Sequence, residues 1–210
     1  MTTTPTRDPA FILGKYKQMW GKVRSFVQSL RSAGNDDFAS VFHRILQYTN
    51  GISPGGEFVP SASWEESFIF HGVEVRMARM AQEYVWRDMV ANEVLRATHS
   101  DVDLIVELGS GWSANIFNLW LRGAPGSARY LGCELTEGGR QAATSLAGIR
   151  PAMKYAACAF DWSSPDFSFI PRDAKHVTIF SCHSIEQIPE LSQEALRDPI
   201  GARSGDWSSD

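Results

Sequence analysis

The stretch Glu107-Leu108-Gly109-Ser110-Gly111-Trp112-Ser113 places an acidic residue two positions before a pair of closely spaced glycines. Glycine allows a sharp backbone turn, and because it has no side chain it lets a ligand approach the main chain closely. If a helix follows, the unpaired N–H groups at its start also point at the ligand. This combination is typical of a loop that binds a nucleotide or nucleoside cofactor.

The segments on either side of this loop have the pattern of a strand and a helix. Residues 102–106 form a short, mainly apolar run, as in a buried parallel strand. Residues 114–121 carry apolar side chains at helical spacing. Strand, glycine turn and helix in this order predict the opening of a nucleotide-binding βαβ unit, with a plain structural turn as the alternative.

Two kinds of cofactor fit the loop. The run from Gly109 to Ala114 matches G-x-G-x-x-A, the dinucleotide fingerprint of NAD(P)-dependent oxidoreductases. Glu107, Gly109 and Gly111 also resemble motif I of class I S-adenosylmethionine-dependent methyltransferases, in which an acid stands two positions before the first glycine. A carboxylate would repel a pyrophosphate, whereas the sulfonium and ammonium groups of S-adenosyl-L-methionine tolerate it. The charge therefore favours S-adenosyl-L-methionine as the cofactor.

The methyltransferase resemblance implies roles for residues at the ends of the next two predicted strands. Glu134 would accept hydrogen bonds from the ribose hydroxyls, and Leu135 would pack on the adenine face. Asp161 would accept a hydrogen bond from the adenine amino group, and Trp162 would cover the ring. An exposed strand-end glutamate and a turn-capping aspartate are the alternatives for Glu134 and Asp161. The cofactor-binding residues implied are Glu107, Gly109, Ser110, Gly111, Glu134, Leu135, Asp161 and Trp162.

The stretch from Phe180 to Leu191 resembles the end of the fourth strand in small-molecule methyltransferases. Gln187 stands where histidine is frequent in that family, so no catalytic or metal-binding role is carried over to it. His183 is the catalytic candidate, because a histidine at this edge of the sheet could deprotonate a substrate hydroxyl. A role in capping a helix or lining the site is the alternative. The resemblance implies methyl transfer to a small-molecule acceptor, in particular to a hydroxyl such as that of a sugar.

Composition argues against several other classes of protein. Of 210 residues, 43% are hydrophobic and 21% charged, as in soluble globular proteins. The net charge of −4 gives no basic face for nucleic acid. No uncharged apolar run approaches the roughly 18 residues of a membrane span, and no signal peptide is recognisable. The three cysteines form no C-x-x-C pair. We therefore expect a cytoplasmic protein with reduced thiols and no metal, nucleic-acid or membrane partner.

Residues 1–99 are predicted to form a helical cap ahead of the binding domain. Apolar periodicity predicts amphipathic helices over residues 11–30 and 38–46, and one long helix over 74–96. Residues 50–63 are rich in glycine, proline and serine and predict a loop. We expect this cap to cover the carboxyl ends of the strands and to shape the acceptor site.

Residues 100–196 are predicted to form an α/β domain with a parallel, Rossmann-like sheet of about four strands. After the first strand, the pattern predicts strands over 128–134, 153–160 and 176–182. It predicts helices over 137–147 and 185–196. Residues 161–175 are predicted to form a loop or one helical turn, and residues 197–210 a disordered tail.

The family that the chain resembles has a seven-stranded sheet, so the predicted sheet corresponds to an incomplete, C-terminally truncated methyltransferase fold. The strand over 176–182 would then be an edge, through which copies of the chain could self-associate. A non-catalytic remnant of a methyltransferase is a further alternative for the function.

Overall fold

The computed structural model describes residues 9–51, 65–70, 72–185 and 188. In chain order its elements are α1 (Pro9–Ser32), α2 (Phe38–Asn50), β1 (Glu65–Phe70), β2 (Val73–Ala78), α3 (Arg79–Ala97), β3 (Leu104–Leu108), α4 (Ala114–Leu121), β4 (Arg129–Cys133), α5 (Glu137–Ala147), β5 (Lys154–Cys158) and β6 (Val177–Ser181). The predicted helix over 185–196 and tail over 197–210 lie outside the described residues, apart from Ile185 and Ile188. Most of the predicted loop over 50–63 lies outside them as well.

The centre of the fold is a four-stranded sheet in the order β5-β4-β3-β6. All of its strand pairs are parallel, and β3 is buried along its whole length. The prediction of an α/β fold with a parallel sheet of about four strands is therefore confirmed. β6 pairs with β3 on one side, and no other strand in the described residues pairs with it. Self-association through that edge stays a prediction.

The first strand of the sheet lies two residues later than predicted, over Leu104–Leu108. Asp103 precedes it and accepts hydrogen bonds from the backbone N–H groups of Lys175 and His176. Glu107 is thus part of the strand and does not follow it. It lies beside Gly132 of β4 in the register, so no side chain stands next to it on that strand.

The predicted long helix over 74–96 is wrong at its start. Residues 73–78 form β2, which pairs with β1 in an antiparallel hairpin, and α3 begins only at Arg79. Polar and apolar residues alternate from Val73 to Met77, and this period of two fits a strand better than a helix. Gly72 makes the turn possible, since its φ of 79° lies in the left-handed region. The N-terminal region is therefore a helical cap with a hairpin inserted.

Helices cover one face of the sheet and an irregular segment covers the other. On the first face α1 packs on α5, and α2 begins at Phe38 because Asp37 accepts a hydrogen bond from the Ser40 N–H. On the second face Phe160 and Phe167 pack against the apolar side chains of β3. As predicted, residues 161–175 contain turns and no helix. Both faces of the sheet are buried, which explains why its central strand reads as an apolar run.

We predict that Gly132→Ala destabilises the protein by about 1–3 kcal/mol. An added Cβ would lie 2.2 Å from Ser113 Oγ and 2.4 Å from the Tyr155 hydroxyl, so the packing under the glycine loop must shift. Urea denaturation measures the change. Gly126→Ala is the control, since nothing lies within 4 Å of its added Cβ. Equal stability of the two variants would contradict the prediction.

Candidate functional site

A cavity of about 980 Å³ lies at the carboxyl edge of the parallel sheet. This is where open α/β sheets bind ligands, next to the point at which the strand order reverses. The loop after β3 and the ends of β4 and β6 form its floor, while α1, β1 and α3 form its walls. All of the predicted site residues line it: Glu107, Gly109, Ser110, Gly111, Glu134, Leu135, Asp161, Trp162 and His183.

Backbone hydrogen bonds hold the glycine loop in a left-handed turn. Gly109 and Gly111 have φ angles of 72° and 56°, which favour glycine over any other residue. The N–H groups of Gly109 and Ser110 both donate to the Cys133 carbonyl, at 2.7 and 3.0 Å. Beneath the loop, Ser113 Oγ hydrogen-bonds the Tyr155 hydroxyl at 2.7 Å. The end of β4 therefore sets the shape of this loop.

The carboxylate of Glu134 ties the glycine loop to the turn after β4. Its Oε2 accepts a hydrogen bond from the Gly111 N–H at 3.0 Å. Its Oε1 accepts from the N–H and the hydroxyl of Thr136, at 2.9 and 2.7 Å. Glu134 is buried, so the alternative of an exposed strand-end glutamate is wrong. Its predicted contact with a ribose stays a prediction.

Glu107 is a buried acid whose carboxyl group is only partly satisfied. The Asn115 amide donates to its Oε1 at 2.6 Å, while Oε2 has no hydrogen-bond partner among the described residues. Burial raises the pKa of Glu107 to about 8, although Asn115 and the Arg87 guanidinium act in the opposite direction. At neutral pH this carboxyl group therefore holds its proton for most of the time.

Charged residues on α3 form a network that the sequence analysis missed. Arg87 pairs with Glu83 and donates to Asn115 Oδ1 at 2.7 Å, while Arg79 pairs with Glu83 and with Glu66 of β1. The sequence analysis predicted a helix in this region from its apolar periodicity and assigned no role to its charged residues. The signal was present, because Arg79, Glu83 and Arg87 follow one another at intervals of four and so share a helix face.

Several buried polar atoms without a hydrogen-bond partner in the described part of the chain belong to residues of this cavity. Within the described residues, the buried side-chain atoms without a hydrogen-bond partner include Gln82 Oε1, Arg87 Nε and Glu107 Oε2. All three residues line the cavity. Because buried polar groups are normally paired, these atoms are ones that a polar ligand in the cavity could satisfy.

The protein's own side chains cover both glycines of the loop. A Cβ at Gly111 would lie 2.8 Å from Cζ2 of Trp20, and one at Gly109 would lie 2.2 Å from Ser184 Cβ. Ser184 Oγ donates to the Leu108 carbonyl at 2.9 Å and accepts a hydrogen bond from Trp162 Nε1 at 3.0 Å. The sequence analysis identified neither Trp20 nor Ser184 as a residue that covers the loop, since both belong to segments remote from the loop in sequence. A ligand that reaches the main chain at Gly109 must displace Ser184.

The remaining candidates occupy the rim of the cavity. Leu135 is exposed and offers an apolar surface beside Glu134. Asp161 accepts hydrogen bonds from the N–H and hydroxyl of Ser163, so it caps a turn as its alternative interpretation predicted. His183 follows β6 with a left-handed φ of 57°, and its ring centroid lies 4.9 Å from that of Trp86. None of these contacts tests the cofactor roles implied by the resemblance.

No group of three or more His, Cys, Asp or Glu side chains in the described part of the chain could hold a metal ion. No helix among the described residues is long and apolar enough to span a membrane. Cys133, Cys158 and Cys182 carry free thiols. No protein-family model matches this chain, and no curated protein shows significant similarity to it. Its function must therefore be argued from the geometry of the cavity.

We predict that Glu107→Gln stabilises the protein at pH 8 but not at pH 4. Because burial raises the pKa of Glu107 from its ordinary value of 4.5 to about 8, the native state holds a proton that the unfolded chain has released. Stability contributed by this group is thus lost as the pH rises from about 4.5 towards 8. Glutamine does not ionise and should recover roughly 4 kcal/mol at pH 8.

Urea denaturation of wild type and variant across this pH range measures the effect. The control is Glu74→Gln, a substitution at an exposed acid on β2, which should leave the pH dependence unchanged. A constant difference in stability between Glu107→Gln and wild type at every pH would show that Glu107 ionises normally in the native state.

Proposed function

We propose that this chain binds S-adenosyl-L-methionine in the cavity and transfers its methyl group to a hydroxyl of a small-molecule acceptor. The observation that carries the proposal is the buried carboxyl group of Glu107, beside a glycine loop at the carboxyl edge of a parallel sheet. Because this carboxyl group is buried and poorly solvated, its ionised form would interact strongly with a cationic ligand in the cavity.

The same carboxyl group argues against a dinucleotide. A pyrophosphate would be bound at the start of α4, where Glu107 already contacts Asn115 in the first turn of the helix. A pyrophosphate would keep the Glu107 carboxyl group protonated and gain no charge attraction from it, whereas a cation would favour its ionised form and pair with it. The G-x-G-x-x-A spacing from Gly109 to Ala114 and the acid Glu134 are the features that keep an NAD(P)-dependent oxidoreductase as the alternative.

The remaining cofactor contacts follow the order of the strands. Oε2 of Glu134 accepts a hydrogen bond from one ribose hydroxyl with the single lone pair that Gly111 and Thr136 leave unused, and the other hydroxyl would have to compete with these donors. The adenine ring packs between Leu135 and Trp162, with its amino group towards Asp161. Ser184 moves away from Gly109 when the cofactor enters.

S-adenosyl-L-methionine, when bound, would supply an electrophilic methyl group on its sulfonium sulfur, and S-adenosylhomocysteine would be the leaving group. The residues of the chain align the acceptor, exclude water and hold or remove a proton. His183 is the group proposed to accept the proton of the acceptor hydroxyl. The walls formed by α1 and α3 exclude solvent from the reacting atoms.

We predict that S-adenosylhomocysteine binds the protein in isothermal titration calorimetry, whereas NADH does not. Glu134→Ala should weaken binding by roughly 1.5–3 kcal/mol, because it removes charge-assisted hydrogen bonds and loosens the Gly111 turn. Glu137→Ala is the control, since this exposed acid lies outside the cavity. Binding of NADH without S-adenosylhomocysteine by the folded protein would overturn the proposal in favour of the oxidoreductase.

We predict that S-adenosylmethionine binding at pH 7 releases a proton from Glu107. The free protein holds this proton because the pKa is raised to about 8, and a nearby cation lowers that pKa in the complex. Affinity should therefore rise with pH and level off above about 8. Calorimetry in buffers of different ionisation enthalpy counts the protons. Glu107→Gln serves as the comparison, because any proton lost by the ligand itself is released with both proteins.

A further inference from the structure

Most of the large apolar side chains that stay exposed in the described residues line the cavity. They are Ile69 with 69% of its surface exposed, Leu135 with 45%, Trp86 with 38% and Val85 with 37%. Soluble proteins seldom leave such side chains together in a concave site unless a ligand covers them. Leu135 lies on the cofactor side beside Glu134. The other three stand on a separate surface that the proposed cofactor contacts leave uncovered.

This second surface consists of Phe68 and Ile69 from β1 and Val85, Trp86 and Met89 from α3, and we call it the α3–hairpin wall. A volume of about 980 Å³ lies at the upper end of the range for ligand sites, roughly 300–1,000 Å³, so it has room for a second molecule. A molecule on this wall would bury apolar and aromatic surface. That contact favours an apolar ligand over a polyhydroxylated one, whose hydroxyls would lose their hydrogen bonds to water.

The cations next to the α3–hairpin wall are already paired. Arg79 contacts Glu66 and Glu83, and Arg87 contacts Glu83 and Asn115. A phosphate or carboxylate on the acceptor would have to compete with these ion pairs for a guanidinium. The charge distribution therefore favours an uncharged acceptor.

The ring of His183 lies beside the exposed indole of Trp86, with a centroid separation of 4.9 Å. A flat ring that packs on the exposed part of Trp86 lies next to the imidazole, so a substituent at its edge can face His183. Aromatic rings stack favourably at such distances. A phenolic hydroxyl has a pKa of about 10, much lower than that of an aliphatic alcohol, so a histidine removes its proton more readily.

We infer that the acceptor is an uncharged, flat, apolar molecule of the phenol class, which packs on the α3–hairpin wall with its hydroxyl towards His183. This inference rests on the proposed function, because it assigns the second substrate of the same cavity. It also narrows the acceptor to a phenol, where the sequence suggested a hydroxyl such as that of a sugar.

The test uses 2-naphthol and methyl glucoside as probes, titrated by calorimetry into the full chain with saturating S-adenosylhomocysteine. We expect 2-naphthol to bind and the glucoside to give no heat. Trp86→Ala should weaken naphthol binding by about tenfold, since it removes the stacking surface. Ile69→Ala should weaken it by about threefold or more, through the loss of apolar contact area. Neither variant should change the affinity for S-adenosylhomocysteine by more than about twofold, because neither residue faces the cofactor.

Val73→Ala is the matched control, because Val73 is an equally exposed apolar residue of the same hairpin that does not line the cavity. Circular dichroism verifies that each variant is folded. A second readout is methylation of 2-naphthol with S-adenosylmethionine, detected as methoxynaphthalene by mass spectrometry. His183→Ala should slow this reaction by at least about tenfold, the low end of what a general base contributes.

The outcomes separate the inference from the proposed function. Binding of S-adenosylhomocysteine without 2-naphthol, or with the glucoside in its place, would overturn the acceptor class and leave the methyltransferase standing. Binding of 2-naphthol that is lost in Trp86→Ala, without any binding of S-adenosylhomocysteine, would overturn the methyltransferase and leave the phenol site. Equal weakening by Val73→Ala and Ile69→Ala would show that naphthol binds outside the α3–hairpin wall. Failure of both ligands to bind would overturn both.

Discussion

The burial of one carboxyl group at the end of the central strand shapes the arrangement around it. Glu107 has no side chain beside it on β4, because Gly132 occupies that position in the register. Its carboxyl group reaches α4, where the Asn115 amide donates a hydrogen bond to it. Asn115 in turn engages Arg87, which belongs to the charged network of α3. A buried acid of this kind is stable when neutral or when a cation lies close, and the cavity offers room for a cation.

The glycine loop is held from the neighbouring strand and has little conformational freedom of its own. The Cys133 carbonyl receives two of its N–H groups, and the Glu134 carboxylate receives a third from Gly111. The loop geometry is therefore present before a ligand arrives, and binding need not supply the free energy to order it. Ser184 and Trp20 occupy the ligand face of the loop, so these two residues must move when a ligand enters.

Residues outside the parallel sheet convert an open edge into a cavity. α1 brings Trp20 over Gly111, while α3 and the β1–β2 hairpin add an apolar wall next to a set of mutually paired charges. The sheet side is rich in polar groups suited to a nucleoside, and the opposite side is suited to a flat apolar molecule. In the proposed reaction, the polar surface would hold the cofactor and the apolar wall would hold the acceptor beside it.

The amino-acid sequence by itself determined the α/β class, the four parallel strands, the glycine loop and the strand-end residues that line the cavity, because these follow from local periodicity and from the rule that parallel strands end at one edge. Tertiary structure decided the rest. Pairing with β1 made residues 73–78 a strand, since a short alternating segment is stabilised as a strand only by a partner. The tertiary structure likewise decided that Glu107 is buried inside β3 and that Trp20 and Ser184 cover the glycines of the loop. The contacts of Trp20 and Ser184 with the glycine loop join residues far apart in the chain, and no local pattern encodes them.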